Sequence, residues 1–177
     1  MHACYGVPVV RGSPNPLHWG LPRRLKQSRE KADLTRQGLA QKIGGSHATI
    51  GYLESAERCP SVDTTERLAA ALSISAAWLA FGLGEQSDTC PAAASAGMGT
   101  RLADVRTARG YTKAQLAAEA KLNPGSILGI ERAGQTGIDT LEKLAKALRV
   151  SPAWLAFGVG PRELPPRRRA ASVAKSH

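Results

Sequence analysis

Residues Thr35–Glu54 read TRQGLAQKIGGSHATIGYLE and decide the fold, because this stretch contains the start and stop signals of two short helices. Thr35 can cap the first helix, and Gly44 can supply the left-handed residue that ends it. Ser46, two residues later, has the side-chain oxygen that caps a second helix. Apolar residues three and four positions apart give each helix one buried face. These residues are Leu39, Ala40 and Ile43 in the first helix and Ile50 and Leu53 in the second.

The outward face of the predicted second helix carries polar or small residues. A face this narrow can enter the major groove of DNA, which is about 12 Å wide. Two packed helices in any bundle would need the same Leu, Ala and Gly, so the motif alone leaves a purely structural role open. The outward residues are His47, Ala48, Thr49, Gly51 and Tyr52.

An internal repeat extends the prediction to most of the chain. Residues 21–84 can be laid on residues 98–160 with an offset of about 77, which drops to 76 after one deletion. Each repeat, called unit one (21–84) and unit two (98–160), is predicted to be an all-α domain of about five helices. A unit this small has a marginal core, and duplication lets the two units bury surface against each other. The segments that match best are SISAAWLAFGLG (73–84) with RVSPAWLAFGVG (149–160), and VDTTERLAAAL (62–72) with IDTLEKLAKAL (138–148).

Local signals place the other helices of each unit. Asp63 with Glu66, and Asp139 with Glu142, form the pattern of a capping box and are predicted to open a fourth helix. A fifth helix is predicted to start at a serine cap and to end at a glycine. The first helices are predicted around Pro22 to Lys31 and Thr100 to Ala108, the serine caps at Ser75 and Ser151, and the final glycines at Gly82 and Gly158.

Three segments outside the units lack a sustained helical period. Residues 1–20 are predicted to be a flexible N-terminal extension, since they contain three prolines and no convincing secretion signal. Residues 85–97, rich in Ala, Ser and Gly, are predicted to be a flexible linker. Residues 161–177 are predicted to be a disordered basic tail. The cluster Arg167 to Arg169 can add nonspecific phosphate binding or only solubilise the chain, and both roles stay open.

The charge balance favours a polyanionic partner. The formal net charge of +10 and the pI near 10.1 are typical of nucleic-acid binding and, less so, of binding to an anionic membrane surface. No run of about 18 apolar residues occurs, so no membrane span is predicted. Cys4, Cys59 and Cys90 lack metal-ligand spacing and are predicted to be free thiols in a reducing cytoplasm. No catalytic grouping, cofactor motif or small-molecule site recurs at usable spacing, so neither an enzyme nor a cofactor is expected.

The spacing of Thr, Leu-Ala, Gly, Ser, Ile and Glu within residues 35–54 resembles that of the lambda-repressor-like, Cro-type (XRE) helix-turn-helix family. The resemblance implies two tandem five-helix domains and a sequence-specific transcription regulator that binds double-stranded DNA. It favours a repressor of bacterial or phage origin, working at the nucleoid in the cytoplasm. An antitoxin-like or other protein-interaction module that also binds its own promoter is the alternative.

The resemblance also implies which residues contact DNA. Base contacts fall on His47, Ala48 and Tyr52 of unit one, with Thr49 near the DNA backbone. The polar side chains can hydrogen-bond to base edges, and Ala48 can meet a thymine methyl group. Phosphate contacts fall at the start of the second helix of each unit and in the loop after the third helix of the unit. They are Thr35, Arg36, Ser55 and Arg58 in unit one, and Thr112, Lys113, Ser126 and Arg132 in unit two.

A structural ion pair is implied as well, between an arginine of the first helix and the glutamate that ends the recognition helix. The matching residues are Arg29 with Glu54, and Arg106 with Glu131. A partly buried bridge that orients the helices is favoured for Arg29 over a contact with DNA.

The two units differ in their ability to read a base sequence. In unit two the base-reading positions are Pro124, Gly125 and Gly129, and only Ser126 beside them could donate a hydrogen bond. Lys121 replaces the turn glycine, so a non-glycine residue must adopt an unusual backbone conformation or reshape the turn. Unit two is therefore predicted to read sequence poorly.

Aromatic and apolar residues recur near the end of each unit. They are predicted to close the core or to pair the units, in preference to stacking on a ligand, since aromatics at helical spacing usually pack. If they pair the units, one chain would mimic the dimer that is usual in the resembled family. The residues are Trp78, Leu79, Phe81, Trp154, Leu155 and Phe157, of which the tryptophans and phenylalanines are candidates for self-association.

Overall fold

A computed structural model describes residues 16–87 and 97–163, and within these ranges the chain is all-α, as predicted. Each unit contains five α-helices, and a 3₁₀ turn, Leu17–Gly20, precedes unit one. The helices of unit one are α1 (Leu21–Lys31), α2 (Arg36–Lys42), α3 (His47–Glu54), α4 (Val62–Leu72) and α5 (Ala76–Phe81). The helices of unit two are α6 (Met98–Ala108), α7 (Lys113–Glu119), α8 (Pro124–Ala133), α9 (Ile138–Ala147) and α10 (Pro152–Phe157).

The predicted caps of the helix-turn-helix motif and of the fifth helices lie where their residue types indicated. The Thr35 hydroxyl accepts a hydrogen bond from the Gly38 amide, and the Ser46 hydroxyl accepts one from the Thr49 amide. Such a bond satisfies an amide that has no acceptor within its own helix. Ser75 and Ser151 cap α5 and α10 in the same way, by accepting from the amides of Trp78 and Trp154.

The capping boxes predicted at Asp63 and Asp139 are wrong. The cap of α4 is Ser61, whose hydroxyl accepts from the Thr64 amide at 3.1 Å. Asp63 therefore lies within the first turn, and its carboxylate pairs with Arg67 at 2.9 Å. The reason is competition: a serine two residues before Asp63 already supplies the capping oxygen.

In unit two, α9 begins after Gly137, which has no side chain to cap it. Asp139 pairs with Lys143 at 3.6 Å. Glu142 does not reach back to the start of its own helix. Its carboxylate instead accepts hydrogen bonds from the amides of Leu17 and His18 and contacts His18 Nδ1 at 2.6 Å.

The chain flanking the units is ordered further than predicted. Leu17–Gly20 form the 3₁₀ turn, so the prediction of a flexible extension is wrong for these residues, because Glu142 fixes them. The Ser75 amide donates to the Gln86 carbonyl, and the Ser151 amide donates to the Arg162 carbonyl. Both units therefore hold the chain beyond residues 84 and 160. The rest of the predicted extension, linker and tail (1–15, 88–96 and 164–177) lies outside the described residues, as do Cys4, Cys90 and the cluster Arg167 to Arg169.

The turn between the two motif helices has the same backbone conformation in both units. Gly44 has φ +64°, and Lys121 at the equivalent position has φ +56°. The amide after each residue bonds back to the helix, from Gly45 to the Ala40 carbonyl and from Leu122 to the Ala117 carbonyl, both at 2.8 Å. The lysine thus adopts the left-handed conformation that glycine normally supplies, which is the first of the two outcomes that the sequence left open.

An arginine of the first helix ties that helix to the end of the fifth in each unit. Arg24 Nε donates to the Leu79 carbonyl and Nη2 to the Ala80 carbonyl, at 2.9 and 2.8 Å. Arg101 makes the same two bonds, to the carbonyls of Leu155 and Ala156. Carbonyls at the end of a helix have no intrahelical donor, so these guanidinium groups act as C-terminal caps. Burial lowers the pKa of Arg24.

The two units meet along a contact that we call the seam, formed by residues 60–62 and 136–138. The Val62 amide donates to the Thr136 carbonyl at 2.9 Å, and the Ile138 amide donates to the Pro60 carbonyl at 3.0 Å. Nearby, α5 packs against α10, so the tryptophan-containing helices pair the two units, which was one of the two roles predicted for their aromatic residues. Phe81 and Phe157 are buried. The backbone pairing at the seam has no signal in the sequence.

Candidate nucleic-acid interface

Helix α3 presents one face to the core and the opposite face to solvent. Ile50 and Leu53 are buried, because they lie three positions apart on the side that meets α1 and α2. His47 and Ala48 are exposed, and the Tyr52 side chain is 40% exposed. The three predicted base-reading residues therefore share the outer face of one helix.

Thr49 lies on the edge of that face and already has a partner. Its hydroxyl is 2.9 Å from the Ser46 hydroxyl, and its amide donates to the same oxygen. The Thr49 side chain is half-buried. It helps to hold the start of α3 more than it extends toward a ligand, which fits the prediction of a contact near the DNA backbone better than a base contact.

Tyr52 and Arg58 lie against each other. The Arg58 guanidinium is 5.1 Å from the centroid of the Tyr52 ring, within the range of a cation–π contact. The contact brings a predicted base reader and a predicted phosphate contact together. Sequence reasoning missed it, because Arg58 lies in an irregular loop whose path no helical period predicts.

Ser55 faces a less favourable environment for phosphate. Its hydroxyl lies 2.8 Å from Glu57 Oε1, to which it donates. A carboxylate beside the hydroxyl repels an anion. Ser55 is the weakest of the predicted phosphate contacts of unit one.

A buried carboxylate organises the positive charges behind α3. Glu54, whose side chain is 1% exposed, accepts from Arg29 Nε at 2.6 Å and from Arg36 Nε at 2.8 Å. Arg29 also donates through Nη1 to the Leu34 carbonyl at 2.8 Å. Arg29 is buried, so this bridge lies within the fold and not on the outer face of α3.

The carboxylate of Glu54 stays ionised. Burial by itself would raise the pKa of Glu54, but the hydrogen bonds from Arg29 and Arg36 outweigh burial and hold that pKa below its ordinary value. Glu30 is a second carboxylate near the cluster, 3.6 Å from Arg29 Nη2. The Arg36 side chain is 49% exposed, so its guanidinium group is the positive charge that faces solvent.

Unit two repeats this arrangement. Glu131 accepts from Arg106 Nε at 2.6 Å, and Lys113 Nζ lies 3.6 Å from its second oxygen. Arg106 Nη1 donates to the Tyr111 carbonyl, as Arg29 does to that of Leu34. The predicted phosphate contacts Arg36 and Lys113 thus occupy equivalent positions, each anchored to a buried glutamate.

The outer face of α8 differs from that of α3. Its residues are exposed, yet only Ser126 carries a hydrogen-bonding side chain. A Cβ atom added at Gly129 would meet nothing within 4 Å, so the position of Tyr52 is open space in unit two. The Leu128 side chain is 36% exposed on this helix. The other exposed residues of the face are Pro124 and Gly125, and Arg132 is exposed near the helix end.

Helix α2 contributes a groove that the sequence analysis did not single out. Gln37 and Gln41 line it together with Gly45 and His47. The two glutamines lie four positions apart on one helix face, and both are exposed. Their amide groups therefore extend the polar surface around His47, and their spacing was the available signal.

The starts of α2 and α7, the first helices of the two motifs, are exposed. Thr35 and Thr112 are exposed, and each hydroxyl accepts an amide hydrogen bond of its own helix. In unit two the Gln115 side chain also accepts from the Thr112 amide, which completes a capping box.

The thiol of Cys59 lies beside the seam. Cys59 is a free cysteine, and burial raises its pKa, with Asp139 of unit two among the further causes.

Within residues 16–87 and 97–163, no helix is long and apolar enough to cross a membrane.

Two stretches of the chain, residues 25–79 and 102–155, match the model of the Helix-turn-helix family. Together they make up more than half of the sequence, and each covers one motif with its flanking helices. No curated protein and no solved structure matches the chain.

Proposed function

Because this chain belongs to the lambda-repressor-like helix-turn-helix family, a family of DNA-binding transcription regulators, we propose that it is a repressor of bacterial or phage origin whose unit one reads the operator. The observation that carries the proposal is the outer face of α3. There, His47, Ala48 and Tyr52 are exposed together, and Arg58 lies over the Tyr52 ring.

The chemistry of this face suits the edges of base pairs. Imidazole and phenol groups can donate or accept hydrogen bonds in the major groove, and a methyl group can contact thymine. Arg58 stacks on Tyr52, which leaves the ring less free to change its rotamer. A reader held in place before binding loses less conformational entropy when it binds.

The phosphate contacts are supported by charge and position. Arg36 projects from a buried anchor at the start of α2, and Arg58 lies in the loop after α3. Thr35 lies at the exposed start of α2, where backbone amides also favour an anion. The net charge of +10 supplies the sequence-independent attraction that every DNA-binding protein needs.

Unit two is the weaker reader in this proposal. The face of α8 offers Ser126 alone as a polar side chain, whereas Lys113 and Arg132 supply positive charge at positions suited to phosphate. Contacts of this kind position a protein on the duplex without specifying sequence.

The support for repression is steric: a protein that occupies the major groove of a promoter excludes other proteins from that groove. Such a protein works at the nucleoid, in the cytoplasm.

Base reading is tested with duplexes selected from genomic fragments by the purified protein. We expect Tyr52→Ala and His47→Ala to weaken binding to the selected operator by about 1–3 kcal/mol and to change binding to random DNA little. Leu128→Ala is the matched control, because Leu128 is exposed to a similar degree on the equivalent helix of unit two. An equal loss on both kinds of DNA would contradict base reading by α3.

The interaction-module alternative has one observation in its favour. Leu128 is exposed on a helix face that carries little hydrogen-bonding capacity, and such a face suits a protein surface better than base edges. If the chain is an antitoxin-like protein, a small protein encoded beside it should copurify with it. Leu128→Glu should then abolish copurification and leave DNA binding intact.

A further inference from the structure

We infer that a single chain binds DNA through both of its units without dimerising. The two units span two successive major grooves in one fixed orientation. This inference rests on the proposed function and adds to it the form of the DNA target. The target is a non-palindromic operator, with one half read by unit one and the other half held by its phosphates.

The first support is the reciprocity of the seam. Val62 and Ile138 are equivalent in the repeat, and so are Pro60 and Thr136. The Val62 amide of unit one donates to the Thr136 carbonyl of unit two at 2.9 Å, and the Ile138 amide of unit two donates to the Pro60 carbonyl of unit one at 3.0 Å. An exchange of equivalent contacts is what a twofold axis between identical subunits produces. The two units are therefore related here as the halves of a symmetric dimer are.

The second support is what these bonds satisfy. Val62 and Ile138 are the first residues of α4 and α9, so their amides have no acceptor within their own helices. Each amide finds its acceptor in the other unit, and both side chains are fully buried. Neither unit supplies the acceptor for the first amide of its own fourth helix, so the pair is the structural unit.

The third support is that other contacts join the units on the same chain. Helix α5 packs against α10, and the Glu142 carboxylate of unit two binds the 3₁₀ turn that precedes unit one. Because the two halves are covalently connected, their pairing does not depend on protein concentration.

The seam also limits the distance between the two recognition helices. Helix α3 ends at Glu54, and the seam begins at Pro60. A loop of that length spans at most roughly 20 to 25 Å. In unit two, α8 ends at Ala133 and the seam begins at Thr136, so that loop spans at most about 11 Å. The ends of α3 and α8 therefore lie within about 40 Å of each other, a limit that admits the 34 Å or so between successive major grooves on one face of the duplex.

The fixed orientation follows from the difference between the recognition helices of unit one and unit two. A symmetric dimer reads a palindrome and binds equally in both directions. Here His47 and Tyr52 lie on unit one, whereas Pro124 and Gly129 occupy the equivalent positions on unit two. Sequence is read at one end only, so one end of the operator should be specified and the other tolerant.

The test compares two duplexes derived from a selected operator. The long duplex, about 24 base pairs, carries both halves, and the short one, about 12 base pairs, carries only the specified half. Arg36→Gln and Lys113→Gln form a matched pair of variants, because each removes the exposed cation from an equivalent buried glutamate. The measurements are the dissociation constant against salt concentration and the mass of the complex.

We expect one chain on the long duplex. Arg36→Gln should lower the salt slope by about one on both duplexes, and Lys113→Gln should lower it by about one on the long duplex alone. Two chains on the long duplex, or no effect of Lys113→Gln there, would overturn the inference while leaving the proposed function standing.

A second measurement does not depend on DNA. Amide hydrogen exchange of Val62 and Ile138 should show protection that is the same at low and high protein concentration. Loss of protection, or protection that grows with concentration, would overturn the pairing within one chain. If these amides are protected but no fragment is bound specifically, the proposed function fails and the intramolecular pair stands.

Discussion

At the scale of single residues, the two arms of the Arg29–Glu54–Arg36 cluster have different energetic roles. Arg29 is buried, and its lost hydration is offset mainly by the carboxylate of Glu54 and the carbonyl of Leu34, with the half-exposed carboxylate of Glu30 farther away at 3.6 Å. Arg36 is half-exposed, so water still solvates much of its guanidinium group. A buried charge is expensive to leave unpaired, whereas an exposed one is not.

Replacing Glu54 with leucine should therefore lower the free energy of unfolding by about 3–5 kcal/mol, because it strands the buried Arg29 charge. Arg36→Gln removes the exposed arm and should lower it by less than about 1 kcal/mol. Urea unfolding followed by circular dichroism measures both values. Equal losses in the two variants would mean that burial does not distinguish the arms.

At the scale of the elements, the motif turn tolerates a residue that its geometry disfavours. Lys121 has φ +56°, in the region where side chains other than glycine are strained by roughly 1–2 kcal/mol. The turn keeps this shape because α7 and α8 pack against each other and the Leu122 amide bonds back to Ala117. Packing of the two helices outweighs the local preference of the residue between them.

Lys121→Gly should stabilise the protein by about 1 kcal/mol, because relief of strain exceeds the added entropy of the unfolded chain. Gly44→Ala, at the equivalent turn with φ +64°, should destabilise it by a similar amount. Thermal unfolding of the two variants against the parent checks the pair. A destabilised Lys121→Gly variant would mean that the lysine side chain stabilises the turn.

At the scale of the whole molecule, an electrostatic contact joins unit two to the segment before unit one. Burial alone would raise the pKa of Glu142, but hydrogen bonds from His18 and from the amides of Leu17 and His18 hold it below its ordinary value of 4.5. A carboxyl group with a depressed pKa contributes stability that is fully present above its ordinary pKa. That contribution is lost as the pH falls through the folded value.

Acidification below about pH 5 should therefore destabilise the parent protein more than Glu142→Gln, whose side chain does not titrate. The measurement is the free energy of unfolding against pH. Glu119→Gln, which removes an exposed carboxylate from α7, is the control and should follow the parent curve. Identical curves for the parent and Glu142→Gln would show that this contact does not contribute to the acid response.

Much of the fold follows from local signals in the sequence. Four helices begin at the predicted hydroxyl caps, because a hydroxyl just before an apolar helical period can accept from an amide of the first turn that has no acceptor in its own helix. The caps are Thr35, Ser46, Ser75 and Ser151. The repeat establishes that whatever unit one forms, unit two forms as well. The outer face of α3 follows from the period of Ile50 and Leu53, since residues between them must point elsewhere.

What the tertiary structure alone decided involves partners that are distant in sequence. The pairing of residues 60–62 with 136–138, the attachment of Glu142 to the 3₁₀ turn, and the Arg58 contact with Tyr52 are examples. The capping boxes at Asp63 and Asp139 failed because α4 and α9 each begin one residue before the aspartate, which then lies inside the helix and pairs with Arg67 or Lys143. A local pattern determines where a helix begins and which face it buries, because those interactions reach three or four residues. Which units meet, and through which atoms, depends on surfaces that exist only after the helices have packed.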